Sequence, residues 1–116
     1  MFLVLNHQKL DVYQASKELL VECYRFCKQL PPDEKFGMIS QIRRAALSVH
    51  LNIAEGSSRK SATERKRYYE ISRGSLIEIN AAFDIAETLN YFADYPKVDL
   101  DRTTTKCFRI LSGLIK

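Results

Sequence analysis

Residues 11–32 read DVYQASKELLVECYRFCKQLPP. Within them Val12, Ser16, Leu19, Cys23, Phe26 and Leu30 follow one another at alternating intervals of four and three, the spacing that gathers side chains onto one stripe of an α-helix. Pro31 and Pro32 then close the segment, because proline has no amide hydrogen to give and pushes the residue before it out of helical space. This stretch predicts a helix over residues 8–30.

Working outward, the same spacing returns three more times. Asp33 and Glu34 place negative charge where the exposed amides of a helix start favour it, and Ile39, Ile42, Ala46, Val49 and Ile53 predict a second helix over 34–55, with Gly56, Ser57 and Ser58 as its cap and turn. Ser61 and Glu64 stand at the interval of a capping box and open a third helix over 62–92, its stripe running through Tyr68, Ser72, Ser75, Ile79, Ala82, Ala86 and Leu89. After the break at Asp94 to Pro96, Leu100, Thr104, Cys107, Leu111 and Leu114 give a fourth over 98–115. No segment alternates with period two except the short Phe2 to Leu5 run. The fold class is therefore all-α, an antiparallel up-down-up-down four-helix bundle forming a single domain over residues 1–116.

Composition narrows the class further. Of 116 residues 46% are apolar and 28% charged, and four Gly and three Pro are too few for a linker or a loop-rich sandwich. No run approaches the ~20 apolar residues that a membrane span needs. Three cysteines with no Cys-x-x-Cys pattern make no disulfide framework. The expectation is a soluble cytoplasmic protein without membrane contact.

The net charge of +4 is unevenly spread. Arg59, Lys60, Arg65, Lys66, Arg67 and Arg73 crowd residues 57–73 against Glu64 and Glu70, whereas Glu78, Asp84, Glu87, Asp94, Asp99 and Asp101 follow with Lys97 alone opposing them. The third helix thus begins basic and ends acidic, the reverse of what its macrodipole favours. A polyanion accounts for such a beginning: phosphates are drawn to cations grouped with unpaired helix amides, and Tyr68 and Tyr69 are the residues for base stacking. The alternatives are a solvated basic face with Tyr68 in the core, or charged ends that pair between subunits.

Other polar residues fall near core-facing positions. Arg43 and Arg44 lie in the middle of the second helix, Asn52 and Glu55 near its end, and Glu78 falls on the line Ile71, Glu78, Ile85, Phe92. Asn52, Glu55 and Glu78 are expected to form a buried hydrogen-bonded network that fixes helix register; an enzyme built on Glu55, Glu78 and Arg43 lacks an evident nucleophile, so no catalytic residue is assigned. Cys23, Cys27 and Cys107 with His7 or His50 do not have zinc-finger spacing, and small buried cysteines explain them better, so neither a metal nor a cofactor is expected. No glycine sits in a phosphate-loop pattern with its lysine.

Three ordered strings, Gln41 to Ser48 (QIRRAALS), Asn52 to Gly56 (NIAEG) and Gly74 to Glu78 (GSLIE), resemble the 23S rRNA intervening-sequence protein family of four-helix bundle proteins. Members often carry a proline and a small residue before the second string, where this chain has His50 and Leu51. The resemblance implies a bacterial protein with no established catalytic activity. It also implies similarity to the accessory variability protein of diversity-generating retroelements, a homopentamer whose basic surface meets nucleic acid and a reverse transcriptase. By that resemblance Arg43, Arg44, Arg59, Lys60, Arg65, Lys66, Arg67 and Arg73 are the candidates for RNA or DNA contact, and Asn52, Glu55 and Glu78 are packing or interface positions. The functional expectation is a non-enzymatic homo-oligomer that binds nucleic-acid backbone. The alternative is a protein-interaction scaffold or ring-forming accessory protein that binds none.

Overall fold

The computed structural model describes residues 2–116. Its helices are α1 (Asp11–Lys28), α2 (Met38–Ser57), α3 (Ala62–Thr88) and α4 (Val98–Ile115), with single 3-10 turns at Asn6–Lys9 and Pro32–Glu34. Each helix packs on its neighbours in a square, α1 on α2 and α4, α3 on α2 and α4. Contacts such as Ser16 to His50 and Cys27 to Ile39, Val49 to Ser72 and Ser57 to Tyr69, and Arg73 to Ser112 and Glu87 to Lys97 run in opposite senses along successive helices, so each is antiparallel to the next.

The α1 stripe is buried along its whole length. Leu10 stands in extended backbone (ψ 141°), which starts α1 at Asp11 and leaves residues 6–9 as a separate turn. The helix expected to begin at residue 34 begins instead at Met38, yet Glu34 still caps it: its Oε1 accepts from the Met38 amide at 3.2 Å. Its other carboxylate oxygen accepts from Tyr91 Oη at 2.8 Å, tying the α1–α2 turn to the α3–α4 turn.

Gly56 does not end α2. It lies inside the helix with negative φ, and a Cβ there would lie 2.7 Å from Tyr68 Cβ; glycine is present because α3 passes too close for any side chain. The α2–α3 seam is otherwise lined by hydroxyls, with Ser72 Oγ donating to Val49 O at 2.7 Å and Ser48 Oγ 2.8 Å from Ser75 Oγ.

At the far end α3 stops four residues short of its expected limit. Asn90 takes φ 65°, a left-handed conformation that asparagine tolerates, and the Tyr91 amide reaches back to Ala86 O at 2.9 Å. The chain then folds Phe92 flat against Phe26, with ring centroids 4.6 Å apart and planes 12° apart, while Phe83 and Tyr95 meet Phe26 edge-on. Among these contacts Glu22 is a buried carboxylate held by Arg25 Nη1 at 2.7 and 2.8 Å.

The three cysteines are buried thiols. Burial pushes Cys27 up to about 11 and Cys107 to about 12, and Cys23 higher still. His50 fills a gap between helices, its Nδ1 2.7 Å from Ser16 Oγ and its ring 4.5 Å from that of Tyr13. Burial, and then the nearby charges of Lys17 and His7, hold its imidazole below the ordinary value of 6.5.

Two outcomes test this packing. Gly56→Ala is expected to destabilise the fold by about 1–3 kcal/mol despite alanine's better helix propensity, whereas Gly74→Ala, with nothing within 4 Å of the added Cβ, is expected to stabilise it by up to about 1 kcal/mol in urea melts. Because the folded state binds the His50 proton less readily than the unfolded chain, stability from this residue is complete above about pH 6.5 and declines as pH falls below it. His50→Gln should remove that part of the acid sensitivity in thermal melts recorded across pH.

Candidate nucleic-acid interface

The basic corner is built where α2 ends and α3 begins. Ser61 caps α3, its hydroxyl accepting from the Glu64 amide at 3.3 Å. The carboxylate half of the expected capping box is not among the hydrogen bonds of the described residues. Gly56 holds the two helix ends side by side. The cations that oppose the α3 dipole therefore also lie beside the carbonyl end of α2, where positive charge is favoured.

The eight basic residues expected at a polyanion do not share one role. Arg65 Nη1 donates to Arg59 O at 2.9 Å and Lys60 O at 2.8 Å, stitching the first turn of α3 to the α2–α3 turn. Arg59 lies over the Tyr68 ring at 5.0 Å, donates from Nη2 to Tyr68 Oη at 3.0 Å, and pairs with Glu55 at 3.3 Å. Arg73 is half-buried and reaches Ser112 on α4 at 3.3 Å. Arg43 points the other way, its guanidinium over the Tyr24 ring of α1 at 5.2 Å and its Nε shut off from solvent without a hydrogen-bond partner. Lys60, Lys66 and Arg67 are exposed, and among the described residues none of them has an ion-pair partner. Arg44 is likewise exposed and unpaired, but stands further along α2.

The tyrosines are not the stacking platforms their position implied. Tyr69 is buried with its hydroxyl 2.8 Å from Ser57 Oγ, and Tyr68 carries Arg59 on its ring. The sequence also gave no hint of Lys116, which α4 brings to this corner: with Arg65, Lys66, Thr63 and Tyr69 it lines a hollow of about 370 Å3. Only the antiparallel return of α4 places it there.

The expected polar network is divided. Asn52 donates to Ser48 O at 2.8 Å and to Ser48 Oγ at 3.2 Å, joining the Ser48–Ser75 pair. Glu55 is at the surface with Arg59. Glu78 is exposed between Ile71 and Ile85, which are exposed too, because the buried stripe of α3 runs through Tyr69, Ser72, Leu76, Ile79 and Ala86 and turns the Ile71–Glu78–Ile85 line outward. Glu55, Glu78 and Arg43 do not converge on one another. No group of three His, Cys, Asp or Glu side chains among the described residues is arranged to hold a metal ion, and no helix among them is long and apolar enough to cross a membrane.

The family model described as 23S rRNA-intervening sequence protein matches residues 8–113. Comparison with curated proteins gives no match.

The division of labour among the arginines has a measurable consequence. Arg65→Ala removes two charge-assisted bonds to backbone carbonyls and should cost about 1–3 kcal/mol of stability, whereas Lys66→Ala and Arg67→Ala should leave the urea midpoint within about 0.5 kcal/mol of the parent.

Proposed function

The chain belongs to the 23S rRNA-intervening sequence protein family, and from that premise we propose that it is a non-enzymatic, cytoplasmic, oligomeric helical bundle that binds the phosphate backbone of RNA or DNA. The observation that carries this reading is the unpaired trio Lys60, Lys66 and Arg67 at the α2–α3 corner. Lys116 and the outer edge of Arg65 extend the same positive surface around the adjoining hollow. Point charges on flexible stems recognise phosphate without reading bases, and the bundle presents no recognition-helix motif, so binding follows charge and not sequence.

In this reading Arg59, Arg65 and Arg73 hold the corner in shape while Lys60, Lys66 and Arg67 meet the ligand, with Arg44 as an outlying contact. Stacking contributes little, since one tyrosine is buried and the other is occupied by Arg59.

A second reading, a scaffold that assembles or recruits protein, is favoured by a different observation. Leu51 of α2 and Ile71, Ile85 and Leu89 of α3 are exposed, with Arg44 and Glu78 exposed on the same two helices. Apolar side chains exposed in this number are more often covered than left in water. The ring of five implied by the family resemblance would cover such side chains.

Titration of labelled RNA and duplex DNA across salt concentration separates the two. Phosphate binding requires an affinity that falls steeply with added salt, and Lys60→Ser with Lys66→Ser and Arg67→Ser should flatten the log–log slope by about 1 per cation removed while leaving circular dichroism unchanged. Binding that survives the triple substitution with its salt slope intact would exclude this corner, and no binding at all would leave the scaffold reading.

A further inference from the structure

The hollow of about 370 Å3 beside the basic corner differs in kind from the open surface around it. Arg65 and Lys66 reach it from the start of α3 and Lys116 from the end of α4, with Ala62 and Thr63 beside them and Tyr69 and Leu114 as its apolar wall. Among the described residues no carboxylate lines it. Three positive charges delivered by two antiparallel helices therefore converge on one concave spot. At the other end of the α3–α4 seam the hollow of about 490 Å3 has the opposite character, lined by Asp84, Glu87 and Asp101, with Lys97 held by Glu87.

The donors around the basic hollow are prepared for a ligand. Arg65 Nη1 is taken up by Arg59 O and Lys60 O, which fixes the plane of the guanidinium, while its Nε and Nη2 have no acceptor among the described residues. A guanidinium held in this way presents its remaining donors without first losing rotamer freedom. Lys66 and Lys116 have no ion-pair partner among the described residues. In the first turn of α3 the Ala62 and Thr63 amides likewise have no acceptor among them, since the Ser61 hydroxyl takes up only the Glu64 amide. Lys60 and Arg67 stand outside the hollow.

We propose that this hollow takes the phosphate monoester at the end of a nucleic-acid strand, an inference that rests on the phosphate-binding reading above and divides its cations between two tasks. An internal phosphodiester carries a single negative charge and continues on both sides, so separate cations on an open surface suffice for it, as at Lys60 and Arg67. A terminal monoester carries a charge of about −1.5 to −2 at pH 7 and three acceptor oxygens. Because it is joined to the strand through one bond only, it can enter a recess that a continuing strand must bridge. Three convergent cations, a guanidinium with donors still free and the first amides of a helix match both that charge and that number of oxygens. Lys66 belongs to the hollow and to the exposed trio alike, so a strand whose end is seated there runs out over the remaining two cations.

Fluorescence anisotropy on a short, internally labelled oligouridylate, and in parallel on the matching oligothymidylate, tests this at fixed ionic strength. Each is prepared with a 5′-phosphate, with a 3′-phosphate or with hydroxyls at both ends. One phosphorylated form should bind the full chain at least about fivefold tighter than the hydroxyl form, and which form it is identifies the end that is read. A hydroxyl-ended oligomer longer by one nucleotide adds phosphate charge without a monoester and should not reproduce the gain. Lys66→Ser with Lys116→Ser should abolish the preference, whereas Lys60→Ser with Arg67→Ser should weaken every form and leave the preference in place, with circular dichroism confirming the fold of each variant. Equal affinity for all three forms, with a steep salt dependence retained, would overturn the terminal-phosphate assignment and leave backbone binding standing. A preference that survives Lys66→Ser with Lys116→Ser would overturn it as well, and no binding of any form would remove both readings together.

Discussion

The distance at which α2 and α3 pack governs much of the rest. Tyr68 Cβ lies so near Gly56 that no side chain fits between them, and the seam continues through Ser48, Ser72 and Ser75, whose hydroxyls bond across it or into the opposite backbone. Small residues let the backbones approach, and the serine hydroxyls along the seam bond to one another or to the opposite backbone. From this closeness follows the shape of the α2–α3 corner. It brings the carbonyl end of one helix beside the amide end of the next, keeps the turn short enough for Arg65 to bond two of its carbonyls, and seats Arg59 on Tyr68.

That geometry sorts cations that look equivalent in the chain. A guanidinium carries five donors in a fixed fork and suits carbonyl capping and ring stacking, so the arginines nearest the turn are drawn into the fold. The lysines, with compact charge on flexible stems, stay in solvent. A basic cluster of six is in this way reduced to three residues available to a ligand, and its aromatic neighbours are withdrawn as well. What remains is three exposed cations with no free aromatic face beside them.

Much of the bundle was legible beforehand. The α1 stripe is buried as its spacing requires, and α4 spans the residues its breakers delimit. The errors lie where an amphipathic pattern has two solutions. In α3 apolar residues occur nearly all round: Ser72, Ile79 and Ala86 of the expected stripe are buried, but Tyr69 and Leu76 take the buried places of their neighbours Tyr68 and Ser75, and Leu89 is exposed. The same shift in α4 buries Thr103 and Ile115 in place of Thr104 and Leu114. In the chain Gly56 carries the signal of a cap, because glycine ends helices more often than it spaces them, and only the crossing of α3 distinguishes the two. Asn90, by contrast, carried a local signal for the end of α3 that the unbroken apolar run obscured.

By itself the sequence determined the number of helices, the places where the chain turns and the segregation of positive from negative charge, because periodicity, proline and net charge act over a few residues and need no partner to take effect. Only the tertiary structure decided which of those charges are spent. Whether an arginine is free, stacked or capping depends on carbonyls and rings delivered by other segments, and the approach of Lys116 to Arg65 and Lys66 exists only because the fourth helix returns antiparallel to the end where the third begins.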